Sequence, residues 1–578
     1  MRKHLEMLRT QLESERSSFI SHWRDIAEHT NPRRVRFSTY DTNKGDKRNQ
    51  KIIDSTGMLA LRTLRSGMMS GITSPARPWF KLTVSDPRKA ESSQVKEWLD
   101  EVSRRMTSVF LRSNLYNVLP IVYSDMGEFG TACMYMEEDP DDVIRFYPFA
   151  AGSYCISNNH KLKVDTFYRE FRLTVRQVIQ KFAQDPVDPK NIDWSKIKVS
   201  TKAAWENGNI EEWIDIRHFI IPNPDYKQGS LLSERKKYIS IYYEAGTNIN
   251  KQTFSDTDDD KKYLSISGYD YFPVLAPRWE INGEDVYGTS CPGMECLGDV
   301  KQLQLGEKRG LQAIEKMVNP PMTGPSSLRN QKASILSGDI TYIDSKEGQA
   351  GFRPVHEINF RIQELEMKQQ QIRSRIQRSF YEDLFLMLAQ TDRRQITARE
   401  IEERHEEKLL ALGPVLEQLN QDLLDPLIDN TFDIMLNAGM IPPAPKELGG
   451  ENLKVEYISI MAQAQKLVGI GAVERFAGFV GQAAAVDPRV LDKVNGDQLI
   501  DVYSDLVSLP TGIVRTDDEV AELRNQREQA IAQQQQAEQA ALQARTAKDL
   551  SQSKIESDNG LGMLVDQAQS GQIGNAFA

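Results

Sequence analysis

Cysteine is scarce in this 578-residue chain, and the four present are scattered. Cys133, Cys155, Cys291 and Cys296 form no CxxC pair, so neither a disulfide framework nor a thiolate zinc site is expected. The expectation is four buried thiols in a reducing cytoplasm. The seven histidines show no ligand spacing. Long apolar runs are missing as well. No window approaches the roughly 18 continuous apolar residues of a membrane span, so no membrane partner is expected. The opening MRKHLEMLRTQLESER is charged and helical, unlike the apolar stretch of a signal peptide.

Catalytic signatures are absent in turn. Without a GxxxxGK[ST] phosphate loop a nucleotide-driven motor has no anchor, and without a GxSxG elbow neither has a serine hydrolase. His405-Glu406 resembles part of a zinc-protease helix, but Leu409 stands where the second histidine belongs. Glu402 to Lys408 therefore reads as a charged, solvated helix face. The acidic run Glu137-Glu-Asp-Pro-Asp-Asp142 could hold a divalent cation; the proline at its centre favours a solvated turn. No catalytic residue, metal or cofactor is expected.

Excess positive charge is lacking too: the net charge is -10 and the pI about 5.5. Proteins that grip DNA tightly present basic faces, because phosphate neutralisation supplies most of their affinity. If this chain handles DNA, it does so loosely, as a conduit and not as a reader of sequence. At 39% apolar, 27% charged and mean hydropathy -0.51, the composition is that of a soluble protein. Its length calls for roughly two to four structural regions.

What is present is an α+β, mainly helical pattern. Leu5, Leu8, Leu12, Phe19, Trp23 and Ile26 mark a helix from the start to about residue 30, stopped by Pro32. Helices are also expected over Ser55–Ser70, Val95–Leu111 and Val118–Glu128, with a strand at Trp79–Val84. From Thr131 to about Trp279 come short β-prone runs, among them Ala132–Met136, Val143–Tyr147, Thr166–Glu170, Ile214–Ile221 and Tyr238–Tyr243. Then Met294, Leu297, Val300, Leu303, Leu311, Ile314 and Met317 form one helical stripe, ended by Asn319-Pro-Pro321. Turns and strands follow, including Asp339–Ile343. Ile358, Ile362, Leu365, Ile372, Ile376, Phe380 and Leu384 form a second long stripe. Gln390 to Ile396 interrupts it with Arg393 and Arg394. A third helix runs from Thr397 through Ile401, Leu409, Leu416 and Leu427, with a kink expected at Gly413-Pro414. Leu453–Ile460 reads as a returning strand, and residues 517–550 as a Glu-, Gln- and Ala-rich helix. The Gly-, Ser- and Gln-rich end is expected to be disordered.

Stripes this long need a partner surface, either one another or neighbouring copies, and periodicity does not choose between them. Two basic loops stand out: Arg33, Arg34 and Arg36 after Pro32, and Arg393-Arg394 between long helices. Such loops are commonly solvated connections; the second gains interest from its setting, where a guanidinium can touch phosphate without reading bases.

Several segments together resemble the head-to-tail connector (portal) proteins of podoviruses. They are Glu15-Arg16, Trp23 and Pro32-Arg33-Arg34; Asp54-Ser-Thr56; Gly67-Met-Met-Ser-Gly-Ile-Thr-Ser-Pro75 with Trp79-Phe80; Ser113-Asn114 and Tyr116; Phe129-Gly-Thr-Ala-Cys133; Tyr287-Gly288 and Pro292; Thr397-Ala-Arg-Glu400; Leu412-Gly-Pro-Val415; and Leu424-Asp-Pro-Leu427. The likeness runs from near residue 15 to about residue 440 and fades beyond about Gln463; Thr289-Ser290-Cys291 before Pro292 departs from the commoner form.

The resemblance implies a portal fold assembled as a ring, expected to be dodecameric, at one capsid vertex. Its regions would be a wing (1–282), a first stem helix (283–318), a clip (319–357) and a second stem helix (358–389). A tunnel loop (390–396), a kinked wing helix with the returning strand (397–462), a helical crown (463–550) and a disordered tail (551–578) would follow. It implies DNA contact at Arg393, Arg394 and Gln395 of the tunnel loop, and partner contact at Arg329 and Lys332 of the clip. The implied partners are capsid and scaffolding proteins, terminase, a tail adaptor or nozzle, and double-stranded DNA passing without sequence preference. The implied location is the virion, with assembly in the host cytoplasm. A coat or scaffolding subunit is the competing structural reading, opposed by the β-prone region. A packaging nuclease or ATPase is the competing enzymatic one, opposed by the missing phosphate loop and carboxylate constellation.

Overall fold

The computed structural model describes residues 1–40, 45–84, 86, 92–185, 188, 190–230, 232–245, 262–319, 322–323, 353–354, 362–391, 412–448, 453–458, 476–485, 487–507 and 517–552. The chain divides into two units, Met1–Pro488 and Arg489–Ala578.

The first helix, α1 (Arg2–His29), follows the expected stripe: Leu5, Leu12, Trp23 and Ile26 are all buried. Thr30 closes it before Pro32 removes the next donor. α2 (Thr56–Gly71) leads to β1 (Phe80–Val84), α3 (Ser93–Arg112) and α4 (Leu115–Phe129). The β-rich stretch then supplies β2 (Met134–Asp139), β3 (Val143–Pro148), β4 (Tyr154–Asn158), β5 (Val164–Thr174), β6 (Trp213–Pro222), β7 (Tyr238–Glu244), β8 (Ser265–Tyr269) and β9 (Val274–Leu275). They form a five-stranded antiparallel sheet in the order β4-β5-β6-β7-β8 and a three-stranded one in the order β3-β2-β9.

The first half of α1 lies on the larger sheet, where Leu5 and Leu12 meet Tyr168, Phe219, Ile241 and Tyr243. A buried polar knot fixes that seating: Glu6 accepts from Arg217 at 2.5 Å, Tyr243 at 2.9 Å and Arg9 at 2.9 Å. Burial opposes the Glu6 charge, but Arg217 and the hydrogen bonds outweigh it and hold the carboxyl below its usual range. The acidic run divides between strand and turn. Glu137 to Asp139 complete β2, and Asp139 turns inward on its own hairpin to accept from the Asp141 and Asp142 amides at 2.8 and 3.2 Å.

The first helical stripe becomes a single turn at Pro292–Glu295 and then α5 (Leu297–Val318). The short antiparallel pair β10 (Met322–Thr323) and β11 (Arg353–Pro354) brackets the segment between the stripes. Asp339–Ile343 lies outside the described residues. The second stripe differs from expectation. The periodicity predicts one helix over 358–389, but two are observed, α6 (Ile362–Ser379) and α7 (Glu382–Thr391). Tyr381 at φ 55° breaks them. Phe380 and Leu384 are both fully buried across the break and keep a four-residue step, so the interruption leaves no trace in the periodicity.

Described helix resumes at Leu412 and holds a π-helical turn at Asn420–Leu424, continuing as α8 (Asp425–Asn437). The expected kink at Pro414 falls near the edge of the described residues. β12 (Leu453–Tyr457) then pairs antiparallel with β1, Phe80 opposite Tyr457 and Val84 opposite Leu453. The principal core unites α2, α3, α4, α6, α7 and α8 through residues such as Leu64, Met106, Val122, Ile376, Leu384 and Leu427. All four cysteines are buried and free. In the second unit, α9 (Gly496–Val507) and α10 (Asp517–Gln552) are tied by Arg524, which donates to both Asp497 oxygens at 2.7 Å. The tail after Gln552 lies outside the described residues.

Two glycines let helices approach closely. A Cβ on Gly127 would stand 2.2 Å from Leu64 Cδ2, and one on Gly67 would stand 2.1 Å from Phe385 Cγ. Gly67→Ala is therefore expected to cost about 1–3 kcal/mol through overpacking, measured by denaturant unfolding. Trimming Phe385→Ala in the same chain should recover part of that cost relative to the two single changes; strict additivity would exclude the Phe385 clash as the cause.

Candidate functional site

The candidate site is the long helix pair and the joint that holds it. α5 and α6 run antiparallel, with Gly306 against Gln369 and Gly310 against Leu365. A Cβ on Gly310 would stand 3.3 Å from Leu365 Cδ2, so the absent side chain sets the spacing.

The joint is Asp54. Gln304 of α5 is buried; its Oε1 accepts from the Ile53 and Asp54 amides at 2.6 and 2.8 Å, and its Nε2 donates to the Asp54 carbonyl at 2.7 Å. The Asp54 carboxylate accepts the Thr56 amide at 2.7 Å, where α2 begins, and Arg373 of α6 donates to it at 3.0 Å. Arg373 also donates to Glu307 of α5 at 2.5 Å. One residue thus ties three helices. Burial works against the Asp54 charge, and the hydrogen bonds from Thr56 and Arg373 outweigh it, holding the carboxyl below its usual range.

A second joint corrects an expectation. The sequence places Arg34 in a solvated loop, yet its Nε and Nη2 grip Asp125 at 2.8 and 2.7 Å, and Nη2 donates to the Phe149 carbonyl at 2.9 Å. Burial pushes the Asp125 carboxyl up to about 6 in spite of the arginine. Glu128, wholly buried beside it and bonded by the Thr30 hydroxyl, is pushed well above its usual range by the same cause. A third joint is Arg278, 1% exposed, which donates to both oxygens of Asp422 in the π-helical turn at 2.8 and 2.9 Å. The charge pattern did not single out Arg278, because a lone arginine beside a β-prone run carries no signal of burial.

The segments that suggested a family have contacts to match. Trp23 donates to the Phe129 carbonyl at 3.1 Å. Asn114 both donates to and accepts from Phe146 at 2.8 Å. Gly130, at φ +77°, lies so close to Gly288 that a Cβ would stand 2.3 Å from the Gly288 carbonyl oxygen. Thr131 accepts the Gly288 amide at 2.7 Å, and Tyr287 accepts the Ile156 amide at 3.2 Å.

The stripe of α5 is only half used. Val300 and Leu303 are buried, whereas Leu311, Ile314, Met317 and Val318 are 58, 45, 50 and 81% exposed. The expected tunnel-loop residues Arg393, Arg394 and Gln395, the expected clip residues Arg329 and Lys332, and the Glu402–Lys408 face all lie outside the described residues.

The sequence profile of bacteriophage head to tail connecting proteins matches residues 2–514. The chain belongs to this family. It is 45% identical over 562 residues to the portal protein of Salmonella phage epsilon15, spanning 96% of this chain and 97% of that relative. It is 41% identical over 532 residues to the probable portal protein of Bordetella phage BPP-1, spanning 92% and 91%. The function is that of a phage portal, a head-to-tail connector and component of the virion; the family is structural and not enzymatic.

For this connector the joint at Asp54 carries a pH signature. A carboxyl whose folded pKa is depressed contributes stability above its unfolded value, about 3.9, and loses it as pH falls through the lower folded value. Asp54→Asn should lower the unfolding midpoint at pH 7, and the gap from wild type should close below about pH 4. A gap that is constant from pH 7 to pH 3, read by thermal unfolding, would show that the charge is not what holds the helices.

Proposed function

We propose that the chain closes into a ring, dodecameric at one capsid vertex, through which DNA enters during packaging and leaves on ejection. The observation that carries this is the exposed half of the α5 stripe, a row of large apolar side chains that a lone subunit leaves in water. A ring forms from heterologous contacts that close by rotation, so each copy offers two different complementary faces. The α5 stripe is one such face, covered by the next copy. In this reading residues 1–282 form the wing, α5 and the α6–α7 segment the stem, and 319–357 the clip. Residues 390–396 form the tunnel loop and 463–550 the crown.

The protein performs no bond chemistry. Its work is to hold an aperture and to present docking surfaces: Arg329 and Lys332 of the clip toward terminase and later the tail adaptor, and the wing toward capsid and scaffolding proteins. An acidic wall repels DNA while Arg393, Arg394 and Gln395 keep it centred. The net charge of -10 supports such a loosely held passage.

Light scattering and negative-stain electron microscopy of the purified protein test the assembly. Twelve copies of 65.8 kDa give about 790 kDa, with a central hole; a compact dimer with nuclease or ATPase activity would overturn it. Arg393→Ala with Arg394→Ala should leave rings intact and impair DNA packaging or retention. Normal packaging and normal genome retention in that double variant would remove these arginines from the mechanism.

A further inference from the structure

One side of α6 gathers positive charge in a chain whose net charge is -10. Lys368, Gln371, Arg375 and Arg378 stand at steps of three and four residues, share a face and are exposed. They line an open groove of about 740 Å³ that reaches Gln302 on α5. Of its nine lining residues three are cations, none is acidic and two are apolar. Arg375 is partly committed, with Asp299 at 2.7 Å. Lys368 and Arg378 have no ion-pair partner among the described residues. On α5, Arg309 lies two turns beyond Gln302 and extends the same side.

We infer that this groove is a binding face for the phosphate backbone of duplex DNA, separate from the tunnel-loop arginines. Three features favour phosphate over a protein partner. Lysine is depleted where protein faces bury one another, and Lys368 stands in this lining with three glutamines and no carboxylate. Cations interleaved with amide side chains bond phosphate oxygens without consulting base sequence. From Lys368 to Arg378 the helix rises about 15 Å, and over such a length duplex DNA presents about nine phosphate charges, so three cations per copy attract the backbone without immobilising it. The inference rests on the portal reading, because only a ring repeats the face around a common axis.

The experiment uses the full-length protein and a short fluorescent duplex of mixed sequence. Anisotropy gives the affinity as salt is varied, and light scattering gives the mass of the same samples. Lys368→Gln with Arg378→Gln should weaken binding several-fold in low salt. The slope of log affinity against log salt should shallow by about 0.9 for each phosphate no longer neutralised, with the assembled mass unchanged. Lys368→Arg with Arg378→Lys should restore both, and Arg62→Gln with Arg104→Gln, on α2 and α3, should leave both as in wild type. An unaltered affinity and slope in the glutamine variant would overturn the inference, as would an equal weakening in the Arg62/Arg104 control. A changed assembled mass would overturn it too, since the groove would then be a contact between copies. A wild-type protein that never assembles would instead count against the portal reading itself.

Discussion

The side-chain amide of Gln304 is spent entirely on two adjacent backbone units, Ile53 and Asp54, and with them it fixes where α2 starts relative to α5. Arg373 reaches the same aspartate from α6 and so brings the third helix to the joint. Buried amides and carboxylates left without partners cost more than they return when satisfied. The cluster therefore has one low-energy arrangement, and the axes of three helices are set by it. The apolar residues around it, Val300, Leu303, Ile372 and Ile376, give cohesion, but a hydrophobic stripe alone tolerates rotation and sliding that hydrogen bonds do not.

Much of this architecture was legible in the residues. The stripes from Leu5 to Ile26 and from Met294 to Met317 gave helices because their repeat matches one helical face, although the second buries only Val300 and Leu303. The run at Leu453 gave a strand, although its partner at Phe80 could not be named from pattern, since pairing between distant segments leaves no local mark. Asp54-Ser-Thr56 and Tyr287-Gly288 were visible as family-like segments before their work as helix start and close backbone contact was seen. What stayed hidden were single-residue irregularities. Tyr381 interrupts a helix without disturbing the step from Phe380 to Leu384, and the π-helical turn at Asn420–Leu424 adds its irregularity where apolar residues are dense on every side. The cationic face of α6 was also missed. Its members are interleaved with glutamine, serine, isoleucine and Arg373 of the joint, so no contiguous run of like charge drew attention to them.

Acidic charge is concentrated locally as well as in the net balance of -10. On α8, Asp425, Asp429 and Asp433 follow one another at four-residue steps. Burial first, and then the two flanking carboxylates, push the Asp429 carboxyl up. Such a row is unfavourable to the helix by some tenths of a kcal/mol for each like-charged pair, and the buried face with Leu427, Ile428 and Ile434 outweighs it. Against that acidic background a few exposed cations act locally, within a Debye length of about 8 Å at physiological salt.

The pairing of β1 with β12 bears on how the chain comes off the ribosome. Phe80 and Tyr457 are partners separated by most of the polypeptide, and at roughly 5–20 residues per second the second strand emerges some tens of seconds after the first. During that interval β1 has no strand beside it, so the first unit remains unfinished until nearly all of its length has been made. A nascent subunit is thereby slow to mature, as expected where a pairing joins segments far apart in the chain. In the ring proposed above, that delay would keep half-made chains out of an assembly that one defective member would spoil.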